Sequence, residues 1–190
     1  MAGLYGLTRP CDTAELAEVT AVLWAQGVIP CSVDWTGAQR QELRSRGVVL
    51  YKQWLVRSPD RRSKLSFSVR RQLSVQQDAE IGALLQGARR SLAGMPQRHL
   101  LPAEDGLEAW VLQQDWLILD LAERVRSRVD LALTAADQVI TQALAPGGTV
   151  RRTVLVKALE AAGYTEGSAE VAVHRTPNLQ AVARGQLSRS

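Results

Sequence analysis

The sequence predicts a mainly α protein with short β-hairpins, an α+β chain whose long helices join an N-terminal helix-plus-hairpin domain to a C-terminal domain. Three observations lead there. Capping-box patterns recur ahead of apolar residues spaced three and four apart. The period changes to two in a central stretch and turns extended again at the C-terminus. "GMPQRHLLPAEDG" (94–106), with two prolines and two glycines, punctuates the chain. The domains are therefore expected over 1–93 and 134–190, with a linker and long connecting helix over 94–133. At 190 residues, 46% hydrophobic and 22% charged, the chain can bury a core and does not have a disordered composition.

Asp12-Thr-Ala-Glu15 opens the first helix, with Leu16, Val19, Val22 and Leu23 on its apolar face and Gly27 as its stop. "GVIPCSVDW" reads as an extended connector. Thr36-Gly-Ala-Gln39 opens a short, mostly polar helix closed by Gly47. "VVLYKQWLV" (48–56) is rich in β-branched and aromatic residues, and "KLSFSVR" (64–70) alternates Leu65, Phe67 and Val69 against Lys64, Ser66, Ser68 and Arg70. With Pro59 in the turn between them, the two runs predict a hairpin tipped by Arg61 and Arg62. Ser74-Val-Gln-Gln77 predicts a helix to Ser91. A long helix is expected over 104–133, and Trp116 and Leu119 fall off its apolar stripe, so its middle is apolar nearly all round. A lone chain could not leave that helix in water. Trp116, Leu117, Ile118, Leu119 and Leu121 are thus expected to meet a second copy or another protein.

Thr134 caps a helix over 135–144. A short extended run and a second helix follow in "TVRRTVLVKALEAAGY" (149–164), and Thr165 opens a third helix that Pro177 ends. The closing "RTPNLQAVARGQLSRS" reads as strand, tight turn at Arg184-Gly185 and return strand. Helix, short strand, helix, turn, helix, hairpin is the element order of a winged helix. The residues resemble the small winged helices of the HARE-HTH type, related to the delta subunit of bacterial RNA polymerase. The likeness lies in Gly148-Thr-Val150, in Ala158-Leu159 with Gly163, and in Arg175-Thr-Pro177 with Leu179, Val182 and Arg184-Gly185. It departs at Leu187, where the family carries an aromatic residue, and at Arg151, where it carries Ser or Thr. The resemblance implies a DNA-binding domain over the last 50 or so residues.

Charge points the same way. The net charge is +4, but it is segregated: residues 52–71 carry seven basic side chains against Asp60 alone, and 101–150 carry three arginines against eight acids. Such segregation suits contact with a polyanion. Arginine outnumbers lysine 20 to 3, which fits bidentate phosphate contacts and also the codon bias of a GC-rich genome. Candidate DNA contacts are Lys52, Arg57, Arg61, Arg62, Lys64, Arg70 and Arg71 in the central stretch. Arg151, Arg152, His174, Arg175, Arg184 and Arg189 join them from the C-terminal domain. Trp54 lies in the basic hairpin, either as core or as a stacking platform for a base.

No nucleophile motif, phosphate loop or metal-ligand spacing is present, and Cys11, Cys31, His99 and His174 are isolated. No enzyme, cofactor or metal is expected. Neither a membrane-spanning run nor a secretory signal is legible, so a cytoplasmic protein is expected. The expected function is binding of double-stranded DNA with weak sequence specificity, as a transcription regulator or a replication or repair accessory. The alternative is a protein–protein adaptor that uses winged helices as docking modules.

Overall fold

The three sheets among the described residues share one construction: a strand that precedes one or two helices pairs with the far strand of the hairpin that follows them. The structure, a computed structural model, describes residues 13–32, 34–93, 101–183 and 185–189. The first unit runs α1 (Thr13–Gln26), β1 (Val28–Pro30), α2 (Gly37–Ser45), β2 (Val48–Tyr51) and β3 (Trp54–Arg57). The second runs α3 (Lys64–Val75), β4 (Asp78–Glu80), α4 (Ile81–Ser91), α5 (Glu104–Leu112), β5 (Leu117–Leu119) and β6 (Arg124–Ser127). The third runs α6 (Ala135–Ala143), β7 (Thr149–Arg151), α7 (Arg152–Ala161), α8 (Glu166–Arg175), β8 (Leu179–Ala183) and β9 (Gln186–Arg189). All strand pairs are antiparallel, in the orders β1-β3-β2, β4-β6-β5 and β7-β9-β8. The chain is α+β with short hairpins, as expected from its sequence.

Its middle differs from the expectation in three places. "KLSFSVR" is helical: Ser63 caps α3 by accepting from Ser66 N at 3.0 Å, and Leu65, Val69 and Leu73 are buried four residues apart. Phe67, which alternation would bury, is 59% exposed. The first hairpin is instead contained within "VVLYKQWLV", which reverses at Lys52-Gln53 with Lys52 at φ 50°. Arg61 and Arg62 therefore sit in the lead-in to a helix and not at a hairpin tip. Between α3 and α4, the expected start at Ser74 is replaced by β4, and the Ser74 hydroxyl donates back to Arg71 O at 2.8 Å.

The long helix over 104–133 is not formed. α5 stops at Leu112, and the chain turns through Gln113 into the β5–β6 hairpin. Its tip is fixed by the Asp120 carboxylate, which accepts from Ala122 N and Arg124 N at 2.9 Å each, and by Glu123 at φ 57°. Most of the apolar residues expected to need a partner pack within the chain. Trp116 and Leu117 are buried, with Trp116 edge-on to Trp110 at 6.0 Å between ring centroids. Ile118 and Leu119 are half-buried, and Leu121 stands at the exposed tip. The apolar helix that was expected to need a partner at Trp116–Leu121 does not exist.

Packing joins the units. Strand alternation gives the first sheet two apolar faces. Ile29, Val48 and Leu55 pack with Leu23, Trp35 and Leu43, while Val28, Trp54 and Val56 pack with α3, α4, α5 and β5. Gly106 of α5 lets that helix close on the sheet, since a Cβ there would lie 2.8 Å from the Trp54 ring. The third unit has its own core around Ile140, Leu155, Leu159, Val173 and Leu179. It meets the second through polar groups. The Arg71 guanidinium forks onto Asp137, donating to both carboxylate oxygens at 2.6 Å, and also reaches Arg175 O and Thr176 Oγ1 at 3.1 Å each. Asn178 Nδ2 donates to Gln72 O across the same seam.

Candidate nucleic-acid interface

The basic run over 52–71 is largely spent on folding. Asp60, fully buried, is the hub of the junction between the first two units. Its carboxylate accepts from Ser63 N and Trp110 Nε1 at 3.0 Å each and from the Ser63 hydroxyl. Its carbonyl accepts from Trp116 Nε1 at 3.2 Å and from Ser66 Oγ at 2.9 Å. Arg57 is buried beside it, with a guanidinium nitrogen 3.6 Å from the carboxylate. Desolvation lowers the Arg57 pKa, and Asp60 opposes that shift. Arg70 lies 5.1 Å over the Trp116 ring, and Arg71 is the clamp to the third unit. Arg61 is exposed but ion-paired with Asp115 at 2.9 Å. Lys52, Arg62 and Lys64 remain at the surface.

The third unit divides its candidates in the same way. Arg189 donates to Leu144 O at 3.0 Å and Thr141 O at 3.4 Å, satisfying carbonyls at the end of α6. Arg175 is half-buried, and its carbonyl serves the Arg71 clamp. Arg151 is exposed just ahead of α7, and Arg152 lies 4.0 Å from Glu170. His174 is exposed on α8. Arg184, like Cys11, the Asp12 cap and His99, lies outside the described residues, as does the side chain of Trp24. Trp54 is buried under α5 as core and is not a stacking platform.

α2 is the short polar helix expected after Thr36, and it carries basic residues outside the dense 52–71 run. Thr36 caps it through a complete capping box, Leu43 anchors it to the core, and Glu42 pairs with Arg46 at 2.8 Å. Arg40, Gln41 and Arg44 are exposed, with Arg40 and Arg44 one helical turn apart and Arg40 held by its Nε, which donates to Trp35 O at 3.0 Å. The β2–β3 turn stands beside this helix: Arg40 and Lys52 line one shallow depression of about 360 Å³, together with Asp34 and Gln53. A basic helix face thus adjoins a basic hairpin tip. The signal was available in the sequence as Arg40-x-x-x-Arg44 on a capped helix directly ahead of a hairpin.

The corresponding helices of the other units present different surfaces. α5 packs against β1 and β3, and its outer residues Glu104, Asp105 and Glu108 are acidic. α8 runs against α4 and exposes Glu166, Ser168, Glu170 and Val171. Among the described residues, no group of acids, histidines and cysteines could hold a metal ion, and no helix is long and apolar enough to cross a membrane. No known family model, curated protein or solved structure matches this chain.

Proposed function

We propose that this protein is a chain of winged-helix units that binds double-stranded DNA with weak sequence preference, in the cytoplasm, as a transcription regulator or a replication or repair accessory. The observation that carries this reading is the exposed α2 face, Arg40 and Arg44, beside the Lys52 turn. In a winged helix the last helix before the hairpin is offered to the major groove and the hairpin lies along the backbone. Among the described residues, the first unit offers the basic pair of that kind. Arg62, Lys64, Arg151 and Arg152 are proposed as supporting phosphate contacts. α2 presents Gln41 and arginines to base edges and little else, which suits phosphate-led binding. No catalytic chemistry is assigned.

The test is a binding titration on unrelated duplexes at two salt concentrations. Replacing Arg40, Arg44 and Lys52 by alanine should weaken binding to all sequences alike and flatten the salt slope by roughly one unit per lost contact. Arg61→Ala should change little, because that side chain already faces Asp115. An unchanged slope in the triple variant would sink the reading. A second reading, protein docking, is favoured by the tip of the second unit. There Asp120 and Glu123 flank Leu121, which is fully exposed, an arrangement that repels phosphate and suits a basic, apolar protein surface. Binding of that kind would survive high salt.

A further inference from the structure

Between α4 of the second unit and the corner of α8 and β8 in the third lies a cleft of about 490 Å³. One wall carries Gln86, Arg89 and Arg90, the other His174 and Gln180, while Ala83, Pro177 and Leu179 supply apolar surface. Among the described residues, no carboxylate lines it. Arginines in the last turn of a helix ordinarily need no explanation beyond the helix dipole. Arg90 needs more. Its Nε is buried without a hydrogen-bond partner among the described residues, and burial alone shifts the pKa of its guanidinium, downward, with no carboxylate to offset it. A half-buried guanidinium with no carboxylate beside it is a place where an anion can be taken up. The walls are also fixed relative to each other. The Arg71 fork onto Asp137 and the Asn178–Gln72 hydrogen bond tie the two units at this seam, so the cleft is formed in advance of any ligand.

We propose that this inter-unit cleft binds a phosphate-bearing ligand of mononucleotide size, with Arg89 and Arg90 contacting the phosphate and the apolar wall taking the organic part. The volume falls within the roughly 300–1,000 Å³ of small-molecule sites. Arginine matches phosphate geometry with paired N–H donors. The glutamines on both walls offer donor and acceptor groups to a base edge. The proposal does not depend on the first unit binding DNA.

Calorimetric titration of the full chain with inorganic phosphate, with AMP and with a short DNA duplex tests it. Saturable AMP binding is expected, tighter than that of inorganic phosphate because the apolar wall adds contacts. Arg90→Met, which keeps an unbranched apolar stem and removes the charge, should weaken AMP by about tenfold or more, the worth of one charge-assisted contact. Arg89→Gln, at an exposed position, gives a second reading should Arg90→Met lower the melting temperature. If the duplex displaces AMP, the phosphate is a nucleic-acid backbone; if it does not, the ligand is a free nucleotide, and both results support the site. The Arg40/Arg44/Lys52 variant should bind AMP normally. Absence of saturable binding by both phosphate probes, or AMP affinity unchanged in both arginine variants, overturns the proposal.

Discussion

Two buried aspartates do much of the joining in this chain, and each accepts from several donors at once. Asp137 is 1% exposed and carries both Arg71 bonds together with the Thr134 hydroxyl at 2.6 Å. Removing one partner of such a pair leaves the other charge buried, so Asp137→Ala should cost about 3–5 kcal/mol. The double variant Arg71→Met, Asp137→Leu should cost much less, because neither charge is then stranded. Urea unfolding of the singles and the double measures the difference, and equal costs would contradict the clamp. Asp60 was legible only as a turn residue in "RSPDRRS". Its role depends on Trp110, Gln114 and Trp116, all more than 45 residues away in sequence, and no local pattern announces partners at that distance.

At the scale of elements, the sequence spoke clearly wherever a local signal was unopposed. Thr36, Thr134 and Thr165 each cap the helix expected of them, and Pro177 ends α8. It misled where one stretch satisfied two periods. Leu65, Phe67 and Val69 alternate, but Leu65, Val69 and Leu73 also recur every fourth residue, and the helical reading alone runs on through Val75. The 104–133 segment misled for another reason. Its hairpin turns on Glu123 at positive φ and on an aspartate side chain, with neither glycine nor proline to mark the reversal. Gly106 tests the packing of α5 directly. Helix propensity alone favours Gly106→Ala by about 1 kcal/mol. The new methyl would meet the buried Trp54 ring at 2.8 Å and Pro102 at 2.9 Å, and overpacking of this kind costs about 1–3 kcal/mol. We expect the clash to win, with a lowered melting temperature; a raised one would place α5 further from the first sheet.

Taken whole, the molecule is two bodies. The first and second units share a core that runs from Val28 to Val125, whereas the third unit keeps its own and is tied on by polar groups. Calorimetry of the parent should therefore show the first two units melting together. In Asp137→Ala, the third unit should separate as a distinct transition, and a single sharp transition in that variant would argue for an apolar seam instead. The candidate interface was only partly legible because charge density in the sequence does not reveal which arginines face inward. Arg57, Arg70 and Arg71 lie in the densest basic run and are all used in packing, while the sparser Arg40 and Arg44 are exposed.

The two-sided first sheet also bears on how the chain is made. During synthesis the first unit leaves the ribosome before the residues that cover its second face. The face formed by Val28, Trp54 and Val56 waits for Leu107, Trp110 and Leu117. At roughly 5–20 residues per second, the roughly 60 residues from Arg57 to Leu117 take on the order of 3–12 s to emerge. For that interval a bare apolar strand ladder stands at the tunnel exit. Allowing for the roughly 30–40 residues held in the tunnel, ribosome-stalled chains ending near residue 100 should therefore recruit holding chaperones, and chains carried past about residue 160 should release them.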